Sequence, residues 1–346
     1  MSVTPGYQFA SDNTSGICPE ALAALIAANE GAVPSYGDDA ISKRVADRLR
    51  EIFECACDVF FVFNGTAANA LAVSTCCQPY HSVICADVAH LETDECGSPE
   101  FFSGGSKVLV AESRDGKLLP GAVEHLITGR TDIHYPKPHV VSVTQPTELG
   151  TLYSVEEIAE LSEVVRRFGL RLHMDGARFA NAIAALGVAP SDVTWKAGVD
   201  ILCLGGAKLG LPLGEAILFF NRELAAEFAY RCKQAGQLAS KMRFLTAPWL
   251  GVLENDVWLK HAAHANAMAR RLANGLAQIS GVQVLHPTDV NAVFATLPES
   301  CHRNLAARGW RYYTFIGRGG ARFMCSWATT EQHVDALLAD IRSGVS

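Results

Sequence analysis

Residues 170–178 read LRLHMDGAR, in which a short, mainly apolar run, 170–174, is followed by an acidic residue, Asp175. The run has the length of a buried strand rather than of a helix, and Asp175 follows directly where that strand would end. Open α/β sheets bind their ligands outside the carboxyl ends of their parallel strands. The position of Asp175 therefore indicates both a fold class and a ligand-binding role for its carboxylate.

The same arrangement, an apolar run followed by polar residues and glycines, recurs on both sides of this stretch. NGTAAN at 64–69 follows the apolar run 59–63, and GGAKLG at 205–210 follows the run 201–204. Near-continuous apolar strands of this kind are buried on both faces, which is typical of a mainly parallel sheet covered by helices. Further runs of the same type lie at 82–85, 108–110, 140–143 and 216–220.

Helical patterns separate these runs, and the pattern changes in the last third of the chain. SVEE at 154–157 is a capping box that opens an amphipathic helix ending at Gly169. After about residue 250 a long Ala-rich helix, 258–277, precedes strand patterns and a closing helix at 330–341. This order predicts a smaller α+β domain with an antiparallel sheet. Its strand patterns lie at 282–285, 292–295 and 322–325.

The composition is that of a globular protein and excludes several classes of partner. The chain has 346 residues, of which 49% are hydrophobic and 19% charged, enough for one large and one smaller domain. Its net charge of −7 argues against nucleic acid and anionic membranes as partners. We find no apolar stretch of the roughly 18 residues that a membrane span needs and no signal-peptide pattern at the start, so we expect a cytoplasmic protein.

The cysteines predict free thiols rather than a disulfide scaffold or a metal centre. There are eleven of them, an odd number, spread over the whole chain. CAC at 55–57 and the adjacent pair 76–77 do not have zinc-ligand spacing. We expect small buried thiols in a reducing compartment, and no metal.

Two charged residues at neighbouring strand ends suggest a cofactor. Lys208 lies among glycines just after the strand pattern 201–204, and alone it would be an ordinary surface turn residue. Together with Asp175 it fits a Schiff-base lysine and a carboxylate that keeps a pyridine nitrogen protonated, which is typical of pyridoxal 5′-phosphate enzymes. NGTAAN at 64–69 would place a glycine, a threonine hydroxyl and backbone N–H groups at a helix N-terminus, where a phosphate binds well.

The combined motifs resemble those of the low-specificity L-threonine aldolases, pyridoxal-phosphate enzymes of fold type I in the β-eliminating lyase superfamily. The resemblance runs nearly end to end, and it implies the pyridoxal-phosphate-dependent transferase fold. DECGSPEFF at 94–102 and SKMRF at 240–244 are similar to the bacterial branch that includes threonine and phenylserine aldolases. The other motifs that carry the resemblance are FASDN at 9–13, YGDD at 36–39, NGTAAN at 64–69, AH at 89–90, HMDGAR at 173–178 and GAK at 206–208.

The resemblance implies a cofactor role for each of five residues. Lys208 would bind the cofactor covalently, and Asp175 would hold its ring nitrogen protonated. His90 would stack on the ring, where its imidazole also meets the substrate hydroxyl. Gly65 and Thr66 would bind the phosphate.

The resemblance implies substrate or interface roles for five more. Arg178 would reach the cofactor's phenolic oxygen or the substrate carboxylate, which Arg322 and Ser11 would grip. A bidentate guanidinium fixes the amino acid in a productive orientation. Tyr36, as a substrate contact, and Arg243, as a cofactor contact, are candidates for reaching the site of a neighbouring subunit.

One position departs from the family pattern. In the sister branch a histidine near the substrate hydroxyl lies in a segment that resembles VTQPTE at 143–148, and its counterpart by eye is Thr147. A neutral threonine is a poor base, so removal of the hydroxyl proton would fall to His90 or to a water molecule.

The implied activity is the reversible cleavage of an L-3-hydroxy-α-amino acid to glycine and an aldehyde. L-threonine, L-allo-threonine and phenylserine-like compounds are the expected substrates. Two alternatives stay open, because a fold and a cofactor do not select the bond that breaks. They are another reaction on the same scaffold, such as β-elimination or transamination, and a non-catalytic relative that binds the cofactor.

The resemblance also implies an assembly and a division of the chain. We expect a homo-oligomer that is at least a dimer, and by resemblance a tetramer built as a dimer of dimers. Residues 1–45 would form an N-terminal segment that contributes to the active site and interface, 46–255 the cofactor-binding large domain, and 256–346 the small domain.

Overall fold

A computed structural model describes residues 8–314 and 320–345. Residues 1–7 of the predicted N-terminal segment lie outside this range. The strands are β1 Asp58–Val62, β2 His81–Ala86, β3 Lys107–Ala111, β4 Ser113–Arg114, β5 Lys117–Leu118, β6 Lys137–Thr144, β7 Arg171–Gly176, β8 Ile201–Leu204, β9 Glu215–Phe219, β10 Gln283–Val284, β11 Ala292–Thr296 and β12 Gly320–Met324.

Helices separate most of these strands, and short 3₁₀ turns lie at Asp12–Thr14 and Ala207–Leu209. The α-helices are α1 Pro19–Ala27, α2 Ala40–Ile52, α3 Gly65–Cys76, α4 His90–Thr93, α5 Ser98–Ser103, α6 Pro120–Gly129, α7 Val155–Arg167, α8 Phe179–Leu186, α9 Phe228–Gln234, α10 Arg243–Leu253, α11 Val257–Leu276, α12 Glu299–Ala307 and α13 Glu331–Val345.

The central sheet has seven strands in the order β1-β9-β8-β7-β6-β2-β3. The strands β8, β7, β6, β2 and β3 pair in parallel, which confirms the predicted α/β fold with a mainly parallel sheet. β9 runs antiparallel to both of its neighbours. The connection from β8 to β9, residues 205–214, is shorter than the dozen or so residues that a parallel crossover needs.

The predicted capping box begins α7. The Ser154 hydroxyl accepts a hydrogen bond from the Glu157 N–H at 3.1 Å, and the Glu157 carboxylate accepts one from the Ser154 N–H at 2.8 Å. The helix then buries Ile158, Leu161 and Val165 in the large core around the sheet.

A three-stranded antiparallel sheet, β10-β11-β12, forms a second unit with its own core, as predicted. Phe9 belongs to that core although it lies near the other end of the chain. Its N–H donates to the Arg311 carbonyl at 2.8 Å, and its carbonyl accepts from the Met324 N–H at 2.8 Å. The predicted division at residues 45 and 255 stays a prediction.

Two further observations bear on the sequence analysis. All eleven cysteines are free thiols, as expected. Across residues 8–314 and 320–345, the helices are too short or too polar to cross a membrane.

Candidate active site

Asp175 lies at the end of β7, and both of its carboxylate oxygens are held. Asn69, from the buried face of α3, donates its amide N–H to Asp175 Oδ2 at 2.9 Å. The Ala177 N–H donates to Oδ1 at 3.0 Å. The carboxylate is only 4% exposed, so it has one fixed orientation at the carboxyl end of the sheet.

His90 begins α4 beside this carboxylate and pairs with a second buried acid. His90 Nδ1 lies 2.8 Å from Glu95 Oε1, and Asn69 donates to the same oxygen at 3.1 Å. The hydrogen bond to Glu95 raises the pKa of His90, although burial of the imidazole opposes the shift. Burial acts to raise the pKa of Glu95, but hydrogen bonds from His90, Thr66 and Asn69 outweigh it, and the pKa is lowered. The arrangement therefore favours an imidazolium beside a carboxylate.

The N-terminus of α3 supplies an open group of donors. The Asn64 side chain caps the helix by accepting from the Ala67 N–H at 2.9 Å. A Cβ on Gly65 would meet no atom within 4 Å, so the space in front of the first helical turn is open. Backbone N–H groups at such a helix end, next to the Thr66 hydroxyl, suit a phosphate.

Lys208 lies in the 3₁₀ turn after β8, and its segment packs tightly against the end of β7. A Cβ on Gly205 would collide with the Ala177 carbonyl, which follows Asp175 by two residues. The Gly206 N–H donates to the buried carboxylate of Glu215 in a short hydrogen bond. Burial raises the pKa of Glu215 to about 7, and the charge of Lys208 opposes that shift. The glycines thus allow the Lys208 and Asp175 segments to lie side by side.

Arg178 makes a bidentate pair with Asp12. Its Nε lies 2.7 Å from Asp12 Oδ2 and its Nη2 3.0 Å from Oδ1, and Asn291 also donates to Oδ2 at 3.1 Å. Burial acts to raise the pKa of Asp12, but the Arg178 guanidinium outweighs it and the pKa is lowered. A two-pronged contact between Arg178 and a substrate carboxylate would require this buried pair to open.

Arg322, on β12, lies beside the same N-terminal segment. Its Nη2 donates to the Ala10 carbonyl at 3.5 Å, and its guanidinium lies 4.9 Å from the centre of the Tyr313 ring. Burial and then the charge of Arg178 lower the pKa of Arg322, while the carboxylates of Glu148 and Asp12 oppose the shift.

Ser11 has a local role in this segment. Its hydroxyl caps the 3₁₀ turn by accepting from the Asn13 N–H at 3.2 Å. The contact keeps the segment in the shape that presents Asp12 to Arg178.

The structure leaves Tyr36 and Arg243 at the surface. Tyr36 is 47% exposed, and Lys233 lies over its ring at 4.9 Å. Arg243 Nη1 donates to the carbonyls of Glu30 and Gly31 at 3.2 and 3.1 Å. Both side chains are accessible to a second subunit, which is the setting that the resemblance implies for them.

The hydroxyl of Thr147 points into its own loop. It lies 2.7 Å from the Thr151 hydroxyl and 3.4 Å from the Asp115 carbonyl, and Thr147 is only 4% exposed. Glu148, the next residue, is half-buried, and its charge acts on His90, Arg178 and Arg322. The Thr147 hydroxyl is thus bound within its loop, while the charge of Glu148 acts on three residues of the site.

The sequence analysis assigned no role to Asp12, Asn69, Glu95 and Glu148. Asp12 and Asn69 are inside motifs that carry the resemblance, and Glu95 is inside the segment typical of the bacterial branch. A buried charged residue needs a partner that carries the opposite charge or a hydrogen bond, and this requirement is the signal that points to these four residues.

One group outside this site has ligand atoms for a metal. The side chains of Cys18, Glu20 and His261 present such atoms within 4.8 Å of one another. The expectation of no metal stays a prediction.

Comparison with known proteins identifies close relatives over the whole chain. The family model of the beta-eliminating lyases matches residues 8–300. The low specificity L-threonine aldolase of Pseudomonas sp. (strain NCIMB 10558) is 59% identical over 339 residues, 98% of each chain. That of Pseudomonas aeruginosa is 59% identical over 335 residues, 97% of each chain. The solved structure of Leishmania major threonine aldolase superposes with a TM-score of 0.93 at 28% identity, covering 98% of this chain and 100% of that one.

Proposed function

Since this chain belongs to the beta-eliminating lyase family and, within it, to the low-specificity L-threonine aldolases, we propose that it cleaves L-3-hydroxy-α-amino acids to glycine and an aldehyde. One observation supports this most strongly. Asp175, the His90–Glu95 pair and Lys208 converge at the carboxyl ends of β7, β2 and β8, beside the open N-terminus of α3. The reaction is reversible, so the same site joins glycine to an aldehyde.

The residues present fit pyridoxal 5′-phosphate. Lys208 is the amine that would hold it, Asp175 the carboxylate for its ring nitrogen, and the space before Gly65 and Thr66 would accept its phosphate. When bound, the cofactor supplies an electron sink for the pair that remains at Cα after the Cα–Cβ bond breaks. His90 would lie against the ring.

The chain's own residues supply orientation and proton control. Arg322 and Ser11 bind the substrate carboxylate beside the segment 9–13, because Arg178 is paired with Asp12. The buried partners of Asp175 and His90 keep both groups in one orientation before substrate arrives, which lowers the cost of binding in a reactive geometry.

The second subunit is part of this proposal. Tyr36 as a substrate contact and Arg243 as a cofactor contact would complete the site of a neighbour, in a homo-oligomer built as a dimer of dimers. Apolar side chains exposed on α1 support such a contact, with Leu22 at 42% and Ile26 at 66% exposure. The cytoplasm, where cysteines stay reduced, is the proposed compartment.

The test is product analysis with a panel of threo and erythro 3-hydroxy amino acids. Equal amounts of glycine and aldehyde are expected, and their yields rank the aldehyde partners. A keto acid, with or without ammonia, would indicate transamination or β-elimination, and no turnover would indicate a non-catalytic relative.

Lys208→Ala is the matched control for that assay. Borohydride reduction should attach the cofactor to Lys208 of the wild-type chain, and peptide mass mapping locates the tag. The variant should lose both the tag and nearly all turnover, and a tag on another lysine would contradict the assignment.

A further inference from the structure

The turn 147–150 is fixed from both sides and presents one side chain to the active site. The Gly150 N–H donates to the Thr147 carbonyl at 2.8 Å, and the Thr147 N–H donates to the Thr151 carbonyl at 2.9 Å. Leu149 packs against Phe294 and Met324 of the small sheet. The backbone thus holds Glu148 in one place, between the two domains.

Both neighbours of Glu148 lie next to residues of the site. A Cβ placed on Gly116 would lie 3.1 Å from the Thr147 side chain and 3.3 Å from the Val88 side chain, so these two side chains are close together. Val88 is two residues before His90. Phe294, against which Leu149 packs, is the direct strand partner of Arg322. Glu148 lies between these contacts, in the segment whose Gln145 N–H donates to the Asp175 carbonyl at 2.8 Å, and its charge acts on His90, Arg178 and Arg322.

The proposed reaction needs a proton acceptor near the substrate hydroxyl. Thr147 cannot serve, because its hydroxyl is bound to Thr151 and Asp115 and is a weak base. His90 is a poor acceptor in this setting, because Glu95 and then Asp175 and Glu148 favour its protonated form. Glu148 supplies a further carboxylate on this side of the site, since its charge acts on both His90 and Arg322.

We propose that Glu148 accepts the proton of the substrate β-hydroxyl, a role that rests on the proposed aldolase function. The hydroxyl O–H bond breaks and its proton passes to a carboxylate oxygen of Glu148. The oxygen's electron pair forms the aldehyde C=O bond as the Cα–Cβ bond breaks, and the Cα–Cβ pair stays on Cα. Cα then takes up a proton to give glycine, and the reverse reaction draws the hydroxyl proton from Glu148.

The deciding comparison is between two reactions of the same site. Aldehyde release from a 3-hydroxy amino acid requires removal of the hydroxyl proton, whereas exchange of a glycine α-hydrogen in D₂O does not. Glu148→Gln should lose aldehyde release at least about 100-fold, which is the lower range of general-base effects. Its glycine exchange should change less than about threefold.

Two further variants separate the charge from its position. Glu148→Asp keeps a carboxylate and should retain more aldehyde release than Glu148→Gln. Glu92→Gln removes a carboxylate from an exposed position two residues after His90, and both of its reactions should stay within about twofold of wild type.

Titration of the His90 imidazole by NMR, without substrate, provides a readout that does not depend on activity. Glu148, Glu95 and Asp175 are the acidic groups acting on His90. Glu148→Gln should lower the His90 pKa by more than Glu92→Gln, and the resonance is assigned by its loss in His90→Asn.

Three results would overturn the inference. They are a Glu148→Gln variant with wild-type aldehyde release, an equal loss of aldehyde release and glycine exchange, and an unchanged His90 pKa in that variant. A wild-type protein that exchanges glycine but releases no aldehyde would instead contradict the proposed function, and this inference with it.

Discussion

Asp12 takes no part in the proposed chemistry, but its carboxylate holds Arg178 in place. Its carboxylate is 1% exposed and binds Arg178 and Asn291, which come from the two domains. A buried pair stabilises a fold only while both charges are present, because each alone would be a desolvated charge. Asp12 also occupies both hydrogen-bonding edges that Arg178 would use for a substrate carboxylate.

Asp12→Asn should therefore lower the free energy of unfolding by about 3–5 kcal/mol, since it leaves Arg178 buried without a counter-charge. Urea denaturation at pH 7 measures the loss. Asp47→Asn, which breaks a surface pair with Arg50, is the control and should cost far less. Equal losses in the two variants would mean that the buried pair contributes no more to the free energy of unfolding than the surface pair does.

Arg322→Lys keeps the charge but removes the planar fork that binds a carboxylate with two hydrogen bonds. We expect kcat/KM to fall at least about tenfold, with little change in cofactor absorbance or melting temperature. Steady-state kinetics and a thermal melt are run on the same sample. Unchanged kcat/KM with a lower melting temperature would indicate a structural arginine.

At this scale the sequence predicts less of the site than of the fold. The sequence predicts Asp175 and Lys208 because Asp175 lies at the end of a buried strand and Lys208 shortly after one. Asn69 and Glu95 have no such local signal. Asn69 donates to Asp175, which is 106 residues away along the chain, and to Glu95, which is 26 residues away. The sequence pattern predicts Thr147 as the counterpart of the family histidine, whereas the residue whose charge acts on His90 is the next one, Glu148.

At the scale of elements, the site depends on how closely two strand ends approach. Gly205, after β8, leaves no room for a Cβ against the Ala177 carbonyl after β7. The missing side chain is what permits Lys208 and Asp175 to serve one ligand.

Gly205→Ala should push these two segments apart, because the obstacle is backbone and not a side chain that can rotate away. We expect a loss of at least 1–3 kcal/mol in stability, as is typical of overpacking, together with weaker cofactor binding. Denaturation and a cofactor titration test this. Gly129→Ala, at the end of α6 with open space around it and an ordinary φ, is the control and should leave stability and cofactor affinity nearly unchanged.

Glu215 couples the same loop to pH. Its folded pKa of about 7 is above the ordinary value of 4.5, because burial disfavours the charged form. The contribution of Glu215 to the free energy of unfolding is therefore fully present below about pH 4.5 and is lost as pH rises through about 7.

Glu215→Gln should remove that dependence while its side-chain carbonyl still accepts from the Gly206 N–H. Between pH 5 and 8, the wild-type chain without cofactor should lose roughly 2–3 kcal/mol more stability than the variant. Urea denaturation at both pH values measures the difference, and exposed Glu223→Gln is the control. Parallel pH profiles for wild type and Glu215→Gln would show that Glu215 is ionised throughout.

At the scale of the whole molecule, the order of buried runs was enough to predict both sheets. Strands buried on two faces are apolar throughout, so they stand out without knowledge of their neighbours. The antiparallel direction of β9 is set by a short connection rather than by the strand's own residues. The placement of residues 8–12 on the small domain has no local signal, since their partners lie some 300 residues away.

The proposed sharing of active sites between subunits predicts complementation. Lys208→Ala and Arg243→Ala should each be nearly inactive alone. In hybrid dimers one site carries both defects and the other carries none, so isolated hybrids should have about half of wild-type activity and an unseparated random mixture about a quarter. Coexpression with two affinity tags isolates the hybrids. A mixture no more active than its components would mean that each subunit completes its own site.

The pairing of Phe9 and Asp12 with Arg311, Met324 and Asn291 also has a consequence for the order of events on the ribosome. Domains generally fold as they emerge, and the central sheet is complete once β9 has been synthesised. The segment 8–12 is synthesised before this sheet, but its partners at 291, 311 and 324 are synthesised after it. A nascent chain can therefore form its large sheet early, yet the Asp12–Asn291 contact beside Arg178 closes only after the small sheet begins to be synthesised.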